Sequence, residues 1–250
     1  MVVLEVIILG KTLNRLGEVN INKQGTKMKI IRYGGYTDID VEFLDDFHYV
    51  KKNQAYINFK NGSVKNPYDR TLFGVGYLGV GEYKPSENKR PTKVYAAWTQ
   101  MLNRCYNKNE AKNRPAYYGI ATVCEEWQCF QNFAKWYFDN YYEVDGFLHV
   151  DKDILYPGNK EYNPHKCLLV PQRINMLFLN KPNQHNLPNG IRPIGNKYET
   201  QYNGEHIGYY YTLEEATKAH TDAKRKHIRE VAEEYKEIIP VKVYDALMNW

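Results

Sequence analysis

Apolar and polar positions alternate from Leu148 to Leu155, a Pro157-Gly158-Asn159 turn follows, Cys167 to Val170 is a short apolar run, and Pro171 stands where it can open a helix. The order predicted is strand, loop, strand, helix. Side chains alternate along a strand, so His149, Asp151 and Asp153 should share one face, and the following helix can swing Gln172 or Asn175 towards them. Upstream, Val94, Ala97, Trp98, Met101, Leu102 and Cys105 fall on one face of a helix that starts after Pro91. Trp127, Phe130, Ala134, Tyr137, Phe138 and Tyr141 repeat that spacing and predict a second helix whose aromatic residues are core rather than a base-stacking platform.

The two ends of the chain read as β-rich. Val2 to Leu9 has the composition of a strand, and Met28 to Tyr33 and Ile39 to Phe43 are short strands joined at Gly34-Gly35, with Tyr56 to Phe59 and Gly62 following. Near the C-terminus, Gly190-Ile191-Arg192, Lys197 to Tyr202 and His206 to Tyr210 predict three strands, and Asn203-Gly204 is a hairpin turn. Thr212 and Glu215 make a capping box that opens a long helix to about Glu237. Lys242 to Trp250 is read as a small terminal helix or a partner contact.

Clusters of Pro, Ser and Asn at Pro85, Ser86, Asn88 and Pro91, and at Pro182, Asn183, Asn186, Pro188 and Asn189, mark a boundary and a linker. The expected architecture is α+β in three parts. These are an N-terminal β-rich module (1–88), a central helical and strand–strand–helix domain (89–181), and a three-stranded sheet packed on a helix (189–250). The glycines of Gly74 to Gly81 do not form a phosphate loop, because no Lys-Ser/Thr pair or helix start follows and Glu82 to Arg90 is charged.

Composition narrows the classes. A chain of 250 residues with 43% hydrophobic content can build packed cores, and no apolar run approaches the roughly 20 residues of a membrane span. Val2 to Leu9 contains Glu5 and lacks a basic flank, so no leader is read there and the cytoplasm is the expected compartment. Four cysteines at irregular separations do not resemble a secreted disulfide framework. The net charge of +5 with 23 tyrosines is compatible with nucleic-acid binding and supports it only alongside motifs.

Such motifs are present. The stretch LHVDKDILYPGNKEYNPHKCLLVPQRINMLFLN, preceded by Trp98-Thr99-Gln100-Met101, Arg104-Cys105, Tyr118-Gly119-Ile120, Val123-Cys124, Trp127 and Phe133, resembles the ββα-metal core of phage-borne HNH endonucleases over residues 91–180. The resemblance implies Mg2+ or Mn2+ held by Asp151 and Asn175. It departs from the family at two places: Lys152 stands where the His base is expected, and Lys166 where an Asn precedes the Cys. His149, one strand step from Asp151, or His165 in the turn, is then the candidate base; the alternative for both is an ordinary surface or packing histidine. Lys152 and Lys166 are alternatively phosphate-binding. Cys105, Cys124 and Cys167 recur at the points where that subgroup has cysteines, which raises a structural zinc, but their spacing favours buried thiols.

The C-terminal part, through Gly190-Ile191-Arg192, Lys197-Tyr198, Asn203-Gly204, Ile207-Gly208-Tyr209-Tyr210, Thr212, Glu214-Glu215-Ala216 and Ala219, resembles the APETALA-type DNA-binding domain. Such domains lay their sheet in the major groove, which implies contacts to double-stranded DNA from Arg192, Lys197, Tyr198, Gln201, Tyr202 and His206, half of which alternation assigns to the helix side. Lys218, Lys224, Arg225, Lys226 and Arg229 are read as the wet face of the helix. A weaker resemblance links Gly17, Asn22, Gly25, Asp38-Ile39-Asp40-Val41 and Lys65-Asn66-Pro67 to N-terminal segments of Gram-positive phage proteins; Lys51, Lys52, Lys60, Lys65 and Arg70 there are phosphate-tracking or simply solvated. Two functions are expected from the resemblances. One is metal-dependent hydrolysis of DNA in the manner of a homing endonuclease. The other is an inactive nuclease descendant of a phage or mobile element, acting in a bacterial host cell as a DNA-binding regulator or as an inhibitor of a host defence protein.

Overall fold

The computed structural model describes residues 14–112, 117–179 and 187–250. The strand expected at Val2 to Leu9 and the linker residues Pro182, Asn183 and Asn186 lie outside them. The chain is α+β and divides into two compact units, 1–80 and 81–250.

In the first unit β1 (Val19–Ile21), β2 (Lys27–Tyr33), β3 (Ile39–Phe43) and β4 (Val50–Gln54) form one antiparallel sheet in sequence order. Met28 and Ile30 point inward between exposed lysines, and they join Ile39, Val41, Phe43 and Val64 in the core. Tyr56 to Phe59 continue as a short helix, α1 (Tyr56–Lys60). Its two aromatic residues, three apart, lie on one helical face and close that core.

The second unit opens with a hairpin of β5 (Ser86–Glu87) and β6 (Arg90–Pro91), in the stretch read from sequence as a linker. Asn88 and Lys89, both at positive φ (49° and 62°), supply the tight turn whose twist matches paired strands. Thr92 then caps α2 (Lys93–Tyr106), accepting from the Tyr95 amide at 3.3 Å. Val94, Trp98, Met101, Leu102 and Cys105 are its buried stripe. After β7 (Thr122–Val123), the second predicted helix is broken: α3 (Glu125–Gln128) and α4 (Phe130–Asp139) meet at Cys129, whose backbone is extended. The kink lets Trp127 and Trp136 pack with ring centres 4.5 Å apart while the Trp98 indole donates to the Trp127 carbonyl at 2.7 Å. Of the predicted aromatic stripe, Phe138 and Tyr141 are exposed.

The ββα part follows. β8 (Leu148–Asp151) pairs antiparallel with β10 (Leu168–Pro171), β9 (Glu161–Tyr162) pairs with β7, and α5 (Gln172–Met176) leaves directly from Pro171. The alternating run to Leu155 stops as a strand at Asp151, because that carboxylate accepts from the amides of Asp153 and Ile154, both at 2.8 Å, and turns the backbone. The last part is a three-stranded antiparallel sheet, β11 (Ile191–Ile194), β12 (Lys197–Tyr202) and β13 (Glu205–Tyr210), covered on one side by α6 (Leu213–Glu234) and followed by α7 (Val241–Met248). Asn203 and Gly204 make the predicted hairpin turn with positive φ, and Thr212 and Glu215 make the predicted capping box. Gly190, at φ +74°, lies so close to the Gln201 carbonyl and the His220 ring that no Cβ fits there.

The central and C-terminal parts share a core. Ile228, Val231 and Ala232 of α6 and Val243 and Leu247 of α7 pack against Ile154, Leu168, Val170, Ile174 and Phe178 of the ββα part. Ile228→Ala should therefore cost about 2–5 kcal/mol and weaken the amide hydrogen-exchange protection of β10 and α7 together. Loss of protection in one of the two alone would contradict a shared core.

Candidate functional site

Two neighbouring cavities flank β8. The first, about 270 Å³, is lined by Asp151, Lys152 and Asp153, by Asn175 of α5, by Arg104 and Tyr162, by Lys224 of α6 and by Trp250 just after α7. The second, about 310 Å³, is lined by His149, Gln172, Gln100, Lys93, Met101 and Phe147, again with Arg104 and Tyr162. The register of strand and helix explains the division. Asp151 and Asn175 open onto one cavity and His149 and Gln172 onto the other, because a two-residue step along β8 matches a three-residue step along α5. The imidazole is thus not brought into the cavity that holds the carboxylate.

Asp151 is buried, and burial pushes its carboxyl up to about 6 against the two backbone amides that favour the charged form. One of its oxygens is committed to those amides. Lys152 is buried as well, its ammonium held by both oxygens of Asp153 at 2.9 Å and by the Asn159 carbonyl at 2.6 Å. Asn159 closes the loop from its other end by donating to the carbonyls of Lys152 and Glu161. Lys152 thus ties a loop together rather than standing free as a base. Burial, and then Arg104, hold His149 below its usual range.

The other predicted residues lie apart. His165 is exposed in the turn made by the Asn163 side chain and lines neither cavity. Lys166 is paired with Glu161 at 2.7 Å, and that carboxylate is held below its usual range by the pairing. Its charge is therefore already compensated. Cys105, Cys124 and Cys167 are free thiols, and burial pushes Cys105 up to about 11, Cys167 up to about 12 and Cys124 upward. Among the described residues, no group of three or more His, Cys, Asp or Glu side chains is placed to hold a metal ion.

The fit of a divalent cation to the first cavity is poor. Asp151 offers one uncommitted oxygen and Asn175 one amide oxygen, while Arg104, Lys152 and Lys224 bring three cationic side chains to the same walls. A hard cation needs an oxygen shell with net negative charge close by, and only Asp153 adds a carboxylate, which is already engaged by Lys152.

Arg104 enters the sequence reading only through the resemblance, and Lys224 only as part of a solvated helix face. Arg104 flanks the apolar stripe of α2, donates to the Tyr162 hydroxyl at 3.4 Å and keeps a buried Nε without a hydrogen bond among the described residues. Lys224, read as part of a wet face, is half-buried between Phe178 (5.5 Å) and Trp250 (4.8 Å), and burial lowers its affinity for a proton. Helical spacing from Ala216 through His220 to Lys224 held the signal.

The sheet carries a second candidate site. Thr200 donates to the Ala216 carbonyl, and the Tyr202 hydroxyl lies 3.1 Å from His227 Nδ1, so this side of β12, which alternation extends to Tyr198, faces α6. Tyr198 and Tyr202 therefore leave the predicted contact set. Arg192, Lys197, Gln201 and His206 stay on the open side. Glu199, at the centre of that face, pairs with Arg192 and accepts from Gln201 Nε2 at 3.2 Å, with His206 Nδ1 also at 3.2 Å. The Arg192 hydrogen bond holds its carboxyl below the usual range. An irregular register between Thr200 and Gln201 puts Gly208 and His206 opposite successive residues, which brings His206 and Tyr209 onto the same face with ring centres 4.8 Å apart. Lys197 stands 4.5 Å over the Tyr211 ring.

Comparison with protein-family models, with curated proteins and with solved structures found no match. No helix among the described residues is long and apolar enough to cross a membrane.

The buried Asp151 carboxyl makes stability depend on pH. Its folded value of about 6 lies above the ordinary 3.8, so its contribution is full below pH 4 and is lost as pH rises through 6. That interval of about two pH units is on the order of 3 kcal/mol. Asp151→Asn should flatten this part of the unfolding profile between pH 4 and 7 and be the more stable protein at pH 7. A profile unchanged by the substitution would contradict the burial account.

Proposed function

We propose that the chain is a double-stranded DNA-binding protein, a non-cleaving relative of HNH nucleases, that engages the duplex with the open face of its C-terminal sheet. The observation that carries this reading is the arrangement around Glu199. Arginine, glutamine and histidine side chains are gathered on the side of the sheet that α6 leaves uncovered, with Lys197 and Tyr209 beside them. A sheet of this size fits the major groove, where arginine pairs with guanine and glutamine with adenine edges. Glu199 fixes the donors before DNA arrives, which reduces the ordering cost on binding. The resemblance of Gly190-Ile191-Arg192 and Ile207-Gly208-Tyr209-Tyr210 to APETALA-type domains supports the same face.

Non-cleavage rests on the ββα cavity. Hydrolysis through a divalent ion needs oxygen ligands and a base beside them. Here the cavity is crowded by cations, Lys152 is consumed by Asp153, and His149 opens elsewhere. The competing reading, metal-dependent cleavage, is favoured by one observation: Asp151 and Asn175 do share a cavity. A role as a regulator, or as an inhibitor of a bacterial defence system, follows from binding without cutting.

Gel shifts on random duplex pools test the reading. Arg192→Ala and Gln201→Ala should each weaken the selected sequence by roughly ten- to a hundredfold, and Lys197→Ala should lower the salt dependence by about one phosphate. Supercoiled plasmid should survive incubation with magnesium or manganese. Nicking by the wild type that Asp151→Ala abolishes would establish the competing reading instead.

A further inference from the structure

The second cavity has a lining that the proposed function leaves unused. Its lining includes the apolar Ala96, Ala97, Met101, Leu148 and Val150 and the hydrogen-bonding groups of Gln100, His149 and Gln172. Arg104 stands in the wall common to both cavities, with a buried Nε that makes no hydrogen bond among the described residues. Lys93 and Phe147 form the rim, the ammonium 5.5 Å from the ring centre. Apolar side chains beside two amides and an imidazole suit a heteroaromatic ring with both donors and acceptors, and the volume of about 310 Å³ is at the small end of ligand pockets. The guanidinium common to both cavities suits an anion attached to that ring.

We propose that this cavity is a nucleotide pocket: Gln100, His149 and Gln172 read the edge of a base and Arg104 holds its phosphate. The inference rests on the DNA-binding reading for the source of the nucleotide, namely a base unstacked from the bound strand, while a free nucleotide offers the same chemistry. Unstacking costs a few kcal/mol, least at a mismatch or in single-stranded DNA, so the pocket favours distorted sites over regular duplex. Asp151 and Asn175 play no part in it.

Gln100 and Gln172 line the cavity and are both exposed, so their substitution tests the pocket without loading the core. The experiment uses the full chain with duplexes that carry 2-aminopurine at a mismatch, read by emission and by anisotropy, together with calorimetric titration of adenosine and guanosine 5′-monophosphates, the matching nucleosides and inorganic phosphate. Expected is an emission rise on binding that Gln100→Ala and Gln172→Ala remove while anisotropy still reports the complex. Expected too is monophosphate binding that those variants weaken roughly tenfold, the loss of a neutral hydrogen bond or two, and that nucleosides and phosphate alone do not match. Monophosphate binding with no emission change in bound duplex would support the pocket and assign it to free nucleotides. Duplex binding with neither signal would overturn the pocket and leave the DNA-binding reading standing. Monophosphate binding without duplex binding would support the pocket and overturn the DNA-binding reading; neither kind of binding would overturn both.

Discussion

One face of α6 has to satisfy two different surfaces. Its first turns lie under the three-stranded sheet, where Ala216 is small enough to let the helix approach the Thr200 hydroxyl. Its last turns supply Ile228, Val231 and Ala232 to the core of the ββα part. Between them the same stripe carries His220, Lys224 and His227, polar groups in a position where a simple amphipathic helix would be apolar. Tyr202 takes up the two histidines, with ring centres 5.4 and 5.6 Å away, and Lys224 is received by Phe178 and Trp250. The positions of both candidate sites follow from this helix, since it fixes which side of the sheet is open and brings a cation to the Asp151 cavity.

Charge decides what the ββα part can do. The strand–strand–helix geometry brings Asp151 and Asn175 together, as the resemblance to HNH nucleases implies, yet the same geometry collects Arg104, Lys152 and Lys224 around them. Three cationic side chains on these walls oppose a divalent cation. The buried carboxyl near 6 is a consequence of the same crowding by protein rather than water. His149 shares its cavity with two amides and lies outside the one that holds Asp151.

Much of the local structure was legible in the sequence because its causes are local. The Asn203-Gly204 turn, the Thr212–Glu215 capping box and the strand from Ile39 to Phe43 each depend on residues within a few positions of one another. Elements that depend on distant partners were not legible. The break at Cys129 follows from packing among Trp98, Trp127 and Trp136, and the parallel pairing of Thr122–Val123 with Glu161–Tyr162 joins two-residue segments that no periodicity reveals. At the site, alternation assigns His149 and Asp151 to one strand face, but it could not say that they would line different cavities, with Arg104 and Tyr162 common to both. Lys152 offered a charge in the sequence and a closed loop in the structure, because its partner Asp153 is the next residue and Asn159 folds back over both.

Amide hydrogen exchange of the free protein and of its complex with duplex tests most directly the proposal that DNA meets the open face of the sheet. Exchange in the duplex complex should slow along Ile191–Ile194 and Lys197–Tyr210, centred on the strands that carry Arg192, Glu199 and His206. Protection confined to the first 80 residues or to the exposed side of α6, with the sheet unchanged, would contradict it.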